Sequence, residues 1–171
     1  QTRSNGDRDT TVLIPKGVDL SKPVEVIVHF HGNGGSAAAS TREFKALVAQ
    51  LPAHGRNAIF VLPNTPADKH DWMSPEKSES LTGLQDEAVA ITRRITGRPV
   101  MAGSYTVEGF SAGGMPIATA AKTGQLRANH LVLFDSTYGD WGDVAVSHRQ
   151  PGATVSVFYT EHNRERASRL Q

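Results

Sequence analysis

The chain contains no cysteine. That excludes disulfides, thiolate nucleophiles and cysteine-ligated zinc, and it fits an oxidising or a reducing compartment equally well. Neither sign of charge dominates: 18 Lys and Arg stand against 17 Asp and Glu, for a formal net charge of +1. The basic residues are scattered apart from Arg93-Arg94 and the terminal Arg164, Arg166 and Arg169, which read as solvated helix faces. Such a balance offers no electrostatic footing for nucleic acid or an anionic membrane, so neither is expected as a partner. No apolar run approaches the roughly 20 residues that a membrane-spanning helix needs. There is no internal repeat, no low-complexity stretch and no Gly-Lys-[Ser/Thr] for cradling a nucleotide phosphate. What remains is a balanced chain of 171 residues, long enough for one buried core. The expected organisation is a loose polar segment over 1–9 and a single domain over 10–171.

The chemistry concentrates at Val107-Glu108-Gly109-Phe110-Ser111-Ala112-Gly113-Gly114. Ser104 to Phe110 is rich in Tyr, Thr, Val and Phe, as a strand should be, and Ala112 to Thr123 is an Ala-rich helix that Gly124 closes. Gly-x-Ser-x-Gly between strand and helix lifts the serine oxygen off the end of the sheet, because the glycines let the two elements approach without a Cβ clash. The helix N-terminus behind the serine supplies backbone N–H groups and partial positive charge where an oxyanion would form.

A second signal is Val26-Ile27-Val28-His29-Phe30-His31-Gly32-Asn33-Gly34-Gly35, an apolar strand entering a glycine-rich loop, with a helix expected from Ser40 to Gln50. The same glycines fit a dinucleotide fingerprint, Gly-x-Gly-x-x-Ala. That fingerprint wants an acid at the end of the next strand, which instead closes in Pro63-Asn64-Thr65. The two motifs together resemble the α/β-hydrolase superfamily, and its esterase-like serine hydrolases in particular. The resemblance covers roughly Thr10 to Tyr159. It implies Ser111 as nucleophile and the backbone N–H groups of Asn33, Gly34 and Ala112 as oxyanion donors. Asp135, in Asp-Ser-Thr-Tyr-Gly, resembles a bacterial subgroup with Asp-x-x-Tyr-Gly at that strand end.

The remaining pattern alternates strands and helices at βαβ lengths. Strands are expected at Thr10 to Ile14, Val24 to Phe30, Ala58 to Leu62, Ser104 to Phe110, His130 to Phe134 and Thr154 to Tyr159. An amphipathic helix is expected over Leu81 to Ile95, long loops over Asn64 to Glu79 and Ser136 to Ala153, and a helical turn or two at the end. The fold class is therefore α/β, a mostly parallel sheet with helices on both faces. Ligands in such sheets bind beyond the carboxyl ends of the strands, so His31, Trp72 and Trp141 are candidates for walling a pocket there.

A serine nucleophile needs a base, and the base an orienting acid. The resemblance implies the chain order Ser, acid, His. Asp135 is the preferred acid, and Glu161, at the end of the following strand, the alternative. The base is less legible. Of seven histidines, only His148 and His162 lie after Ser111 on suitable loops, and neither stands where the resemblance places it. One further strand and a histidine-bearing tail are missing, so the expectation is a C-terminally incomplete domain. A C-terminal segment or second chain would then supply the histidine. Gln1 in place of an initiator Met likewise leads us to expect an upstream segment. His29-x-His31 with Asp68, His70 and Asp71 has metal-ligand atom types but no other recognisable ligand spacing, so no metal and no cofactor are expected. The sequence reading is a serine hydrolase cleaving an ester or amide of a small molecule or peptide through an acyl-enzyme on Ser111. The alternative is a hydrolase-like binding module that lacks the triad histidine.

Overall fold

The structure, a computed structural model, describes residues 2–4, 8–64 and 81–170. Seven strands form one sheet: β1 (Thr2–Ser4), β2 (Arg8–Leu13), β3 (Val24–Phe30), β4 (Ala58–Pro63), β5 (Ala102–Phe110), β6 (His130–Phe134) and β7 (Thr154–Phe158). Their order is β1-β2-β4-β3-β5-β6-β7. The first two pairings are antiparallel and the four from β4 to β7 are parallel, so the sheet is mostly parallel. The polar stretch read as loose from sequence thus contributes a short strand, Thr2 lying opposite Thr10.

Side-chain alternation divides β3 between two cores. Val24, Val26, Val28 and Phe30 point to one face and pack with Val107, Leu131 and Leu133 of β5 and β6. Helices α2 (Leu81–Thr96) and α3 (Gly114–Lys122) cover this face through Leu81, Ala88, Ile117 and Ala121. Full burial of Leu81 or Ile117 contributes about 1.5–3 kcal/mol each. On the other face Ile27, Phe60 and Leu62 meet α1 (Ala37–Val48) through Ala37 and Val48, with Phe44 packed alongside. Helix α1 begins where Ser36 accepts a bond from the Ala39 N–H at 3.1 Å, and the Ala37 N–H donates to Asn64 Oδ1 at 2.5 Å, which pins the helix to the end of β4.

The α1 face is covered only in part. Thr154, Ser156 and Phe158 of β7 are exposed there, and Phe158 retains 56% of its surface. The interval expected to be a loop from 136 to 153 contains α4 (Trp141–Ser147), and α5 (Arg164–Ser168) follows a 3-10 turn at Glu161–Asn163. Among the described residues, no helix is long and apolar enough to cross a membrane. Trp72, Asp68, His70 and Asp71 lie outside the described residues.

Candidate active site

Strands β3 to β7 end on one edge of the sheet, and the loops that follow them carry the sequence-derived residues. Phe110 of β5 pairs with Phe134 of β6, so Ser111 and Asp135 are each one residue past the pairing on neighbouring strands. Adjacent strands lie about 4.8 Å apart, which sets the two residues side by side along that edge.

Ser111 has φ of 51°, a left-handed conformation that costs a non-glycine residue about 1–3 kcal/mol. The turn that imposes it is held by close packing. A Cβ on Gly109 would lie 2.7 Å from Gly113 O, and a Cβ on Gly113 would run into the Phe30 carbonyl at the end of β3. A 3-10 turn over Ser111–Gly113 then feeds directly into α3. Gly113→Ala is accordingly expected to destabilise the protein by more than about 3 kcal/mol, because backbone rather than a mobile side chain blocks the methyl group. Thermal unfolding of the variant checks this.

The glycine-rich loop packs on the same turn. A Cβ on Gly32 would come within 3.3 Å of Ser111 Cβ and 3.0 Å of the Phe110 ring. The Gly35 N–H donates to Gly32 O at 3.1 Å, closing a turn with Asn33 and Gly34 at its tip, and Gly34 takes φ of 73°. His31 is buried, its Nδ1 2.8 Å from Gly32 O, so it braces this loop. Asn33 and Gly34 therefore follow β3 while Ala112 follows the neighbouring strand β5.

Asp135 also has positive φ, 52°, and its carboxylate is held from three directions. Oδ1 accepts from the Thr160 N–H at 3.0 Å and the Asn163 amide at 3.0 Å, and the Thr160 hydroxyl is 3.0 Å from both carboxylate oxygens. Burial pushes its pKa up, but the Thr160 N–H, the Asn163 amide, the Thr160 hydroxyl and the His162 charge outweigh that and hold it below the ordinary carboxylate value. Glu161, by contrast, is exposed and paired with Arg164 at 2.5 Å.

His162 is exposed on the turn after β7, its charge lowers the Asp135 pKa, and its ring lies 6.2 Å from that of Tyr138. His148 caps the end of α4, Nδ1 3.0 Å from Val144 O. Trp141 packs edge-on against Tyr138, ring centroids 6.0 Å apart. A cleft of about 480 Å³ opens along the glycine-rich loop, walled by Phe44, Phe110 and Phe134 with His29 and His31. Neither those three phenylalanines nor the Thr160–Asn163 clamp was legible in advance. Each depends on strand register, and the one available signal was Phe110 beside the serine.

No family model and no curated protein matches the chain. Solved structures share its fold. A thermostable esterase superposes with a TM-score of 0.53 at 14% identity, over 95% of this chain and 55% of its own. The dienelactone hydrolase of Anabaena variabilis superposes with a TM-score of 0.52 at 17% identity, over 98% of this chain and 74% of its own. The chain thus spans about half the length of the first. A mostly parallel seven-stranded sheet, a strained serine between β5 and α3, and these two superpositions give the chain the α/β-hydrolase fold.

Proposed function

We propose that the chain is a serine hydrolase that cleaves an ester or amide through an acyl-enzyme on Ser111. The observation that carries this reading is the left-handed serine at the strand–helix turn, locked by Gly109 and Gly113 beside a glycine-rich loop. Strain at such a position is retained where the surroundings over-determine it, and that is common at reactive centres. In this reading a histidine takes the Ser111 hydroxyl proton as Oγ attacks the carbonyl carbon. The N–H groups of Asn33, Gly34 and Ala112 hold the resulting oxyanion. The imidazolium passes the proton to the leaving alcohol or amine, and water then releases the acid by the same route. Asp135 orients the histidine and stabilises its charge.

The histidine is His162, whose charge acts on the acid, or one brought by a C-terminal segment or second chain. The second source is favoured by the outer edge of β7, which no strand among the described residues pairs. Labelling the intact gene product with a fluorophosphonate tests the nucleophile: one adduct, on Ser111, is expected. An unlabelled protein would favour a hydrolase-like binding module instead. His162→Ala separates the two sources of the base. Loss of labelling assigns it to this chain, whereas unchanged labelling, together with a small co-purifying peptide in denaturing mass spectrometry, assigns it to the second source.

A further inference from the structure

Ser111 at φ of 51° and Asp135 at 52° are the non-glycine residues with positive φ among those described, and they stand on neighbouring strand ends. One buried side chain ties their two turns together. Ser136 has no exposed surface, and its hydroxyl donates to Gly109 O, two residues before Ser111, at 2.6 Å. A second acceptor, Phe134 O, lies 3.0 Å away at the end of its own strand. A hydroxyl has one proton, and Phe134 alone would satisfy it locally, yet the shorter contact crosses to β5. Among the described residues this is the one side-chain hydrogen bond between the two turns. The backbones approach closely as well: a Cβ on Gly114, the first residue of α3, would run into the Ser136 carbonyl. On its other side the Asp135 turn is anchored to β7. The Asp135 N–H donates to Phe158 O at 2.7 Å, and Thr160 and Asn163 hold the carboxylate.

We propose that Ser136 is a positioning residue that sets the nucleophile turn against the acid turn, so that Ser111 and Asp135 meet one histidine. This rests on the Ser111 and Asp135 reading above and adds a residue to it. Left-handed backbone at a non-glycine residue relaxes toward an ordinary conformation unless its surroundings hold it. Gly109 and Gly113 leave room for the Ser111 turn, but they carry no side chain to fasten it. Ser136 fastens it at the carbonyl of the residue through which β5 enters the turn. Because β7 anchors Asp135, the next residue in the chain passes that anchor on to β5. Moving one of two cooperating groups by about 1 Å costs on the order of 10² in rate. Ser136 touches no reacting atom in this account, so its loss should slow the chemical step and leave binding alone.

Ser136→Ala in the intact gene product removes the donor and adds no bulk. With a fluorophosphonate probe, the maximal labelling rate should fall about 10- to 100-fold while the half-saturating concentration stays within about 2-fold. Amide hydrogen exchange reads the link without calling on Ser111 chemistry. The Gly114 N–H, which donates to Ser111 O, and the Asp135 N–H should both exchange about 10-fold faster, while the Val61 N–H inside β4 keeps its parent rate. A merely structural role would speed all three amides together and leave the labelling rate of the folded protein unchanged. Labelling at the parent rate, faster exchange at one turn only, or an equal rise at Val61 would overturn the proposal. If Ser136→Ala fails to fold, Ser136→Cys keeps the size and a weaker donor. Slower labelling and faster exchange at both turns are then expected to a lesser degree, and parent values for both would overturn the proposal in the same way. A parent that takes no label, with exchange still rising at both turns in the variant, would sink the nucleophile and leave the link between the turns standing.

Discussion

Ser111→Ala is expected to abolish hydrolysis and fluorophosphonate labelling while the protein stays folded. A serine that acts within a full triad contributes on the order of 10⁶ in turnover. The stability change should stay within about 1 kcal/mol, because Ser111 is half-buried on a turn and alanine meets the same left-handed strain. Ser111→Gly sharpens the test. Glycine adopts φ near 51° without penalty, so that variant should be as inactive as Ser111→Ala yet more stable by up to about 1 kcal/mol. Stability rising as activity vanishes would mark the strain as part of the reactive turn. Retained cleavage by Ser111→Ala, on any substrate the parent cleaves, would remove serine from the mechanism.

The sequence reading succeeds where local pattern and tertiary demand coincide. Strand β4 is buried along its whole length and is an unbroken apolar run, and α2 carries its helical periodicity through Leu84, Ala88 and Ile91, although Ile95, which continues the same spacing, is 63% exposed at the helix end. It falls short where structure depends on partners distant in the chain. Helix α4 has seven residues, contains Gly142 and lacks a side-chain cap, so nothing local distinguishes it from loop. His29 and Glu108 are 79 residues apart and meet only because β3 and β5 pair in one register. The clamp on Asp135 likewise needs β7 beside β6, which brings Thr160 and Asn163 to the carboxylate.

Asp135→Asn is expected to cost about 10⁴ in turnover, whereas Glu161→Gln should cost little. The clamp explains the difference. Thr160 and Asn163 fix the Asp135 carboxylate at the strand end next to Ser111, whereas Glu161 is exposed and engaged with Arg164. An amide at 135 places an N–H where a negative oxygen should hold the histidine tautomer, so the base turns the wrong nitrogen toward the serine. The reverse ranking of the two variants would move the acid to Glu161. Stability supplies a second, independent readout. Asp135 has a depressed folded-state pKa, so its ionised form stabilises the protein above its unfolded-state pKa. That contribution fades as pH falls through the folded-state value, where the carboxylate finally protonates. The parent should therefore be more stable than Asp135→Asn at neutral pH, and denaturant titrations at successively lower pH should bring the two together. A gap that stays constant with pH would mean that the asparagine disturbs packing, and its loss of turnover could then not be read as the loss of an orienting charge.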